Sequence, residues 1–390
     1  MFVSFVLVAC GTATPQEDTG SRDNATTATP QPWLVSAVPI TLDSVADIQV
    51  MGRLDQPDIA STIMDVALSP DNTRLAALTN TQLVVWDLLT GAAVFATGRG
   101  DATQLFYSPD KSELYGLTPG GTGLVFDAET GASDNNFRGH DTYSGVAAFD
   151  SDAGWLALGG LNGIVKVWDP LERTSLATIS AHEEAVVTLA FSPDGNYLAS
   201  ATSRQVRLWD WRARNQLQQW DTGSDIAQLA FSPDGRLVVA GTRSGASLWN
   251  VVGGEQAYDF RLAPNGASRV LAFSLDGRFL VGGSDSAGLH LWSLADGALV
   301  SSLPELEGSR LAARFSPDNT LLITASFGGA ANIWNLTNIS GDTLSRAPLP
   351  LPSNEIIDVF WTDDGRLLLF VDARGPIYAV GVPETSSETP

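Results

Sequence analysis

The stretch Thr188-Leu189-Ala190-Phe191-Ser192-Pro193-Asp194-Gly195-Asn196-Tyr197, followed by Leu208-Trp209-Asp210, decides the fold. It reads as an apolar strand, a Pro-Asp-Gly turn, a second apolar strand, a short turn and a third strand ending in an aromatic residue. Pro and Gly set the backbone angles of such a turn, and the Asp side chain accepts the turn's own amides. The first half returns at Phe231 to Gly235, with close variants beginning at Leu68, Tyr107, Phe149, Phe273, Phe315 and Trp361. The second half returns in forms centred on Trp86, Phe126, Trp168, Trp249, Trp292, Trp334 and Tyr378. The two halves alternate eight times, at a period of about 40 to 43 residues.

Each unit is a meander: in the best-preserved one, strands over Val186 to Phe191, Tyr197 to Ala201, Val206 to Asp210 and Gln216 to Trp220. The third strands are apolar or aromatic on both faces, as in Val206, Leu208 and Trp209. Such a strand needs a neighbouring sheet on each side, and a ring of sheets supplies it.

The repeat resembles that of the WD40 β-propellers, over Asp47 to Val382. The resemblance implies an all-β, eight-bladed propeller spanning 39–383, with seven blades plus a degenerate unit as the alternative; the units at Phe149 and Trp361 depart most from the pattern. Trp86, Trp168, Trp209, Trp249, Trp292 and Trp334 are then structural repeat residues. WD40 rings usually close when an N-terminal strand completes the last blade. Here the last unit stops at the strand Pro376 to Val380, and Asp47 to Leu54 is the expected donor, preceded by a helical turn at Thr41 to Ala46. Residues 384–390 read as a disordered tail.

Composition bounds the function. The 390 residues are 44% hydrophobic and 17% charged, with 37 glycines, which suits a sheet-rich globular chain with many tight turns. A net charge of −22 repels the backbone of DNA or RNA, so nucleic acid is excluded as a partner, and anionic lipid surfaces are disfavoured by the same argument. No run of about 18 apolar residues could span a bilayer. The single cysteine, Cys10, rules out an internal disulfide framework and a multi-cysteine zinc site.

Cys10 follows Leu7-Val8-Ala9 and precedes a Thr-, Ala- and Pro-rich stretch. This arrangement resembles the lipobox of bacterial lipoproteins. The resemblance implies a signal segment over 1–9, lipidation of Cys10, a flexible linker over 10–38, and an extracytoplasmic protein held to the membrane only by its lipid; a cytoplasmic location is the alternative. Only nine residues precede Cys10 and none is Lys or Arg, whereas a secretory signal opens with positive charge. A start codon chosen too far downstream would account for both.

Candidate chemistry is sparse. Asp71, Asp110, Asp194, Asp234, Asp276, Asp318 and Asp364 occupy equivalent turn positions, and Asp87, Asp169 and Asp210 follow the repeat aromatic, so neither series reads as catalytic carboxylates or a calcium loop. His140 and His182 fall where WD40 blades carry a histidine hydrogen-bonded to Ser or Thr, Trp and Asp, although both sets are incomplete, with Leu158 and Asn162 in the first and a shortened Ser203-Arg204 turn in the second. His290 sits within a strand. No catalytic, cofactor-binding or metal-binding residue is assigned, and no cofactor is expected.

The WD40 resemblance implies partner contacts on the face where outer strands lead into the next inner strands. Those loops carry Asp55, Asp58, Asp101, Asp141, Glu183, Glu184, Asp221, Asp225, Glu305 and Glu307, with Arg99, Arg138, Tyr143 and Arg261 among them, and His182 alongside. The rim reads as mainly negative. Asp141, Tyr143, His182, Glu183, Glu184 and Asp225 are the candidate contacts for a basic protein or peptide segment. The expected function is a monomeric, non-catalytic interaction scaffold. The alternative is an extracytoplasmic hydrolase or lactonase-like enzyme with its site in the central channel; inner strands such as Thr188 to Phe191, Gln228 to Phe231 and Val270 to Phe273 argue against it, being mostly small or apolar.

Overall fold

The computed structural model describes residues 37–383 except 42, 56–61, 134–135, 262–269, 285–287, 304–308, 329–330, 338, 340–343, 350–352 and 354. Cys10, the segments 1–9 and 10–36, the tail 384–390, and Asp58, Glu305 and Glu307 lie outside the described residues, as does the Arg261 side chain.

The described residues form eight antiparallel sheets and no α-helix. Blade 1 is Ile63–Leu68, Arg74–Thr79, Gln82–Asp87 and Ala93–Gly98. Blades 2 to 7 repeat this meander, each pairing its strands in chain order, with inner strands Gln104–Tyr107, Tyr143–Phe149, Thr188–Phe191, Ile226–Phe231, Val270–Phe273 and Ser309–Phe315. The units at Phe149 and Trp361 are full blades, so the ring has eight members and the seven-blade alternative falls.

The turn chemistry explains the regularity. In seven blades the turn hydroxyl, from Ser69, Ser108, Ser192, Ser232, Ser274, Ser316 or Thr362, donates to the Asp two residues on at 2.6–2.8 Å. The same hydroxyl accepts the backbone N–H five residues on at 2.9–3.0 Å, which starts the second strand. The Asp in turn accepts the N–H two residues beyond itself. The next position needs a left-handed backbone; Gly195, Gly235, Gly277 and Gly365 adopt it at φ of 64 to 69°, and Asn72, Lys111 and Asn319 stand in at 55 to 66°. Blade 3 departs from this scheme: Asp150 replaces the hydroxyl and accepts the amides of Asp152 and Ala153 directly.

The core is divided among the blade interfaces. Because side chains alternate along a strand, Val206 and Leu208 pack toward blade 5 while Trp209 packs toward blade 3. Eight such clusters join the blades in sequence. One of them joins blade 8 to blade 1 through Phe360, Leu369 and Ile377 against Ile63, Leu75 and Trp86, which closes the ring. The aromatic ending each third strand packs on the preceding blade, as with Trp86, Trp249, Trp292 and Trp334.

Closure uses the expected donor. Gln49–Leu54 pairs antiparallel with the third strand of blade 8, Ile377–Pro383, and supplies its fourth strand. A 3-10 turn at Val45–Asp47 precedes it. Ala37–Val38 pairs with the end of the same strand, at Pro383 and Val382, and Ile40 and Ile48 are buried in the cluster between blades 7 and 8.

Candidate functional site on the top face

A four-stranded meander puts its first and third turns at one end of the blade, and its second turn together with the loop to the next blade at the other. The second end is called the top here. The Asp-capped turns all lie at the bottom, where hydrogen bonds hold the carboxyls of Asp71, Asp110, Asp194, Asp276 and Asp318 below the usual range despite partial burial.

Ion pairs quench much of the acidic rim at the top. Asp141 sits between Arg138 at 2.7 Å and Lys166 at 3.4 Å, and the two cations hold its carboxyl below the usual range. Asp225 is bracketed by Arg204 at 3.3 Å and Arg243 at 3.1 Å, both from second turns of blades 4 and 5. Arg53 pairs with Asp55, and Arg99 lies 3.8 Å from Asp101. Glu183 and Glu184 are exposed, and among the described residues neither forms an ion pair.

Their loop is held from beneath. Ala181 and His182 donate their amides to Gly163 O at 3.0 and 2.9 Å, and Val186 donates to Gly160 O at 3.0 Å. Gly163 has φ of 75°, and a Cβ there would come within 2.0 Å of His182 O, so a larger residue would push turn and loop apart. On its other side the same turn is tied to the neighbouring loop by Leu161 N–H donating to Thr142 O. Leu161, at the tip, is 63% exposed. Asp141, Leu161, Glu183 and Glu184 therefore form one patch across blades 3 and 4, an apolar knob flanked by carboxylates on hydrogen-bonded loops.

Two of the rim candidates are interior. His182 is buried, its Nε2 is 2.8 Å from Ser200 Oγ, and Ser200 Oγ also accepts Trp209 Nε1–H at 3.0 Å. Burial, helped by Arg207, lowers the His182 pKa to about 4, so the ring is neutral. Three members of the WD40-type set are thus present in blade 4. Blade 7 uses a shorter form, Trp334 Nε1–H to Thr324 Oγ1 at 2.8 Å. Tyr143 is also buried, and its hydroxyl donates to Gln104 Oε1. His140 accepts the Thr142 amide at Nδ1 and meets Ile164 O at Nε2, while His290 stacks on Trp292. Burial lowers the pKa of both.

Sequence reasoning missed the polar half of the central channel. Aligned on the turn hydroxyl or its substitute, the fourth residue upstream is Asp65, Gln104, Val146, Thr188, Gln228, Val270, Ala312 and Asp358 in blades 1 to 8. Asp65 accepts Leu105 N–H across the blade boundary at 2.8 Å, and Gln104 donates to Gly145 O at 3.3 Å. Arg314 of blade 7 reaches Asp358 at 3.1 Å. The alignment itself was the available signal.

Comparison with known proteins agrees with this geometry. A family model described as "WD domain, G-beta repeat" matches residues 131–169, 173–210, 215–250 and 302–335. The chain is an eight-bladed β-propeller with WD40 repeats. Each matched stretch runs from an outer strand into the three strands of the following blade, so the sequence repeat is offset from the structural one. The propeller is 31% identical over 138 residues to WD repeat-containing protein SL1-17 of Schistosoma mansoni, 34% of this chain and 45% of that one. It is 30% identical over 81 residues to small ribosomal subunit protein RACK1 of Glycine max, 21% and 25% of the two chains. The propeller thus covers less than half the length of these relatives. The computationally designed Ika8 protein superposes with a TM-score of 0.67 at 21% identity, over 85% of this chain and 99% of that one. The C-terminal WD40 domain of Sif2 superposes at 0.70 and 15%, over 86% and 98%. At these identities the likeness is of fold.

Proposed function

We propose that this propeller is a non-catalytic interaction scaffold that docks a protein or peptide on its top face at blades 3 and 4. The carrying observation is the patch of Leu161, Glu183, Glu184 and Asp141. An exposed leucine at the tip of a turn that is hydrogen-bonded on both sides offers apolar contact without a large ordering cost, and two carboxylates beside it, without ion pairs among the described residues, favour a basic segment and repel acidic ones. The histidines fit this reading, since His140, His182 and His290 are each taken up by blade packing or backbone contacts. The relatives with WD repeats are a further support by analogy of fold. The scaffold is monomeric in this reading, and a lipidated Cys10 would tether it outside the cytoplasmic membrane, with the part of 10–38 before Ala37 as the linker, since Ala37–Val38 pairs with the last strand.

Site-specific photo-crosslinking tests the docking face. A benzoylphenylalanine at position 161 is compared in native cells with one at position 252, where Val252 is 88% exposed on a third turn at the opposite end of the blades. A discrete protein adduct from position 161 and none from 252 is expected. No adduct at 161, or the same adducts from both, overturns the proposal.

A further inference from the structure

The first and last blades meet at the seam that the N-terminal strand completes. At the equivalent inner-strand position, four residues before the turn hydroxyl, six blades carry a neutral residue and two carry a carboxylate. The two are Asp65 in blade 1 and Asp358 in blade 8, on the two inner strands that flank that seam, and the charge of Asp358 acts on Asp65.

Their surroundings differ. Asp358 is paired with Arg314 of blade 7, whose Nη2 lies 3.1 and 3.2 Å from its two oxygens, and it also accepts the Val359 amide at 2.8 Å. Arg314 is held in turn by its bond to Ala313 O and by packing over the Phe360 ring. Asp65 accepts one cross-blade bond, from Leu105 N–H, and among the described residues no cation pairs with it. The groups that face it are the Gln104 and Leu105 segment of blade 2, the Tyr143 phenol of blade 3, which feels its charge, and Asp358. Asp65 is half-buried, so its carboxylate loses part of its solvation and meets a second negative charge, with the backbone N–H groups of Leu105 and Val66 in compensation.

We propose that Asp65 and Asp358 form a proton-sensitive latch at the closing seam, so that the ring is held more firmly when Asp65 carries a proton than when both groups are ionised. Burial is the main cause and Asp358 a lesser one in pushing Asp65 up to about 7, whereas Arg314 opposes the same effect at Asp358. The sign follows from linkage. A folded-state pKa above the unfolded value means that the folded protein binds the proton more tightly, so this stabilisation is full below about pH 4 and is lost as pH rises through about 7. The histidines act in the opposite sense below about 6.5, since their folded pKa values are lowered. For this reason the latch is read from a difference between variants and not from the wild-type curve alone.

Asp65→Asn keeps an acceptor for Leu105 N–H and imitates the protonated form. Thermal unfolding of the wild type and this variant at pH 5 and pH 8 is the test. The expected result is that the variant's margin over the wild type is small at pH 5 and grows at pH 8, where it melts higher by roughly a further 2 °C or more. Asp358→Asn in the same assay removes the like charge and should move the wild-type pH midpoint downward. An Asp65→Asn effect of equal size at both pH values, or a variant less stable than wild type at pH 8, overturns the proposal.

Discussion

Removing the chain before Asp55 should cost the propeller most of its stability. Gln49–Leu54 is the outer strand of blade 8, and its loss leaves the edge of Ile377–Pro383 without its main partner. It also removes three large buried side chains, Leu54 at 0%, Ile40 at 4% and Ile48 at 7% exposure, besides Ala37. At roughly 1.5–3 kcal/mol for each buried side chain, the loss is about 5–9 kcal/mol before any hydrogen bond is counted. A folded domain has about 5–15 kcal/mol in total, so the truncated chain should sit near its unfolding threshold at room temperature. Far-UV circular dichroism during heating reads the effect, and size-exclusion chromatography separates compact from aggregated species. A synthetic peptide covering 40–55 should raise the melting temperature of the truncated chain in a concentration-dependent way, as binding to the native state alone requires. Leu54→Ala provides a graded version and should cost about 2–5 kcal/mol. If the chain starting at Asp55 melts where the full-length protein does, closure is made elsewhere and the reasoning is wrong.

Three further outcomes are expected. Ser200→Ala leaves the Trp209 indole N–H and a His182 nitrogen unpaired in a dry interior and should cost about 2–4 kcal/mol in urea denaturation, whereas Ser200→Thr, which restores a hydroxyl as Thr324 does in blade 7, should recover most of it. The Asp194 carboxyl is held below its usual range by Ser192 and the Asn196 amide, so its contribution is present above about pH 4 and lost as pH falls further; Asp194→Asn should destabilise the protein at pH 7 and by progressively less as pH falls below about 4 in acid-unfolding curves. Mass analysis of the N-terminal peptide from native cells should show a lipid-modified peptide beginning at Cys10; an unmodified peptide retaining Met1 would contradict the tether.

The repeating turn was legible because in seven of the eight blades it is self-contained: its hydroxyl, carboxylate and left-handed residue lie within six positions of one another. Strand limits followed, and Tyr197–Ala201 and the donor's end at Leu54 were read from sequence alone. The top face was less legible because its chemistry is built between blades. Asp225 looks like a free carboxylate beside Ser224 and Ile226, yet Arg204 and Arg243 reach it from two different blades. Tyr143 and His182 sit in loops by spacing, but each turns inward to a partner on another strand, Gln104 or Ser200. The channel was only partly legible for a similar reason. The inner strands that read as mostly small or apolar belong to blades 4 to 6, while the ionisable groups come from blades 7, 8 and 1, with Gln104 of blade 2 beside them.

The central claim is that Leu161, Glu183 and Glu184 form the docking patch. Its most direct test is the affinity of a partner captured from native cells for the wild type and for Glu183→Lys/Glu184→Lys, measured at two salt concentrations. A weaker complex is expected for the variant, by about tenfold or more at low salt, with the difference shrinking as salt rises. An affinity and salt dependence unchanged by the double charge reversal would contradict it.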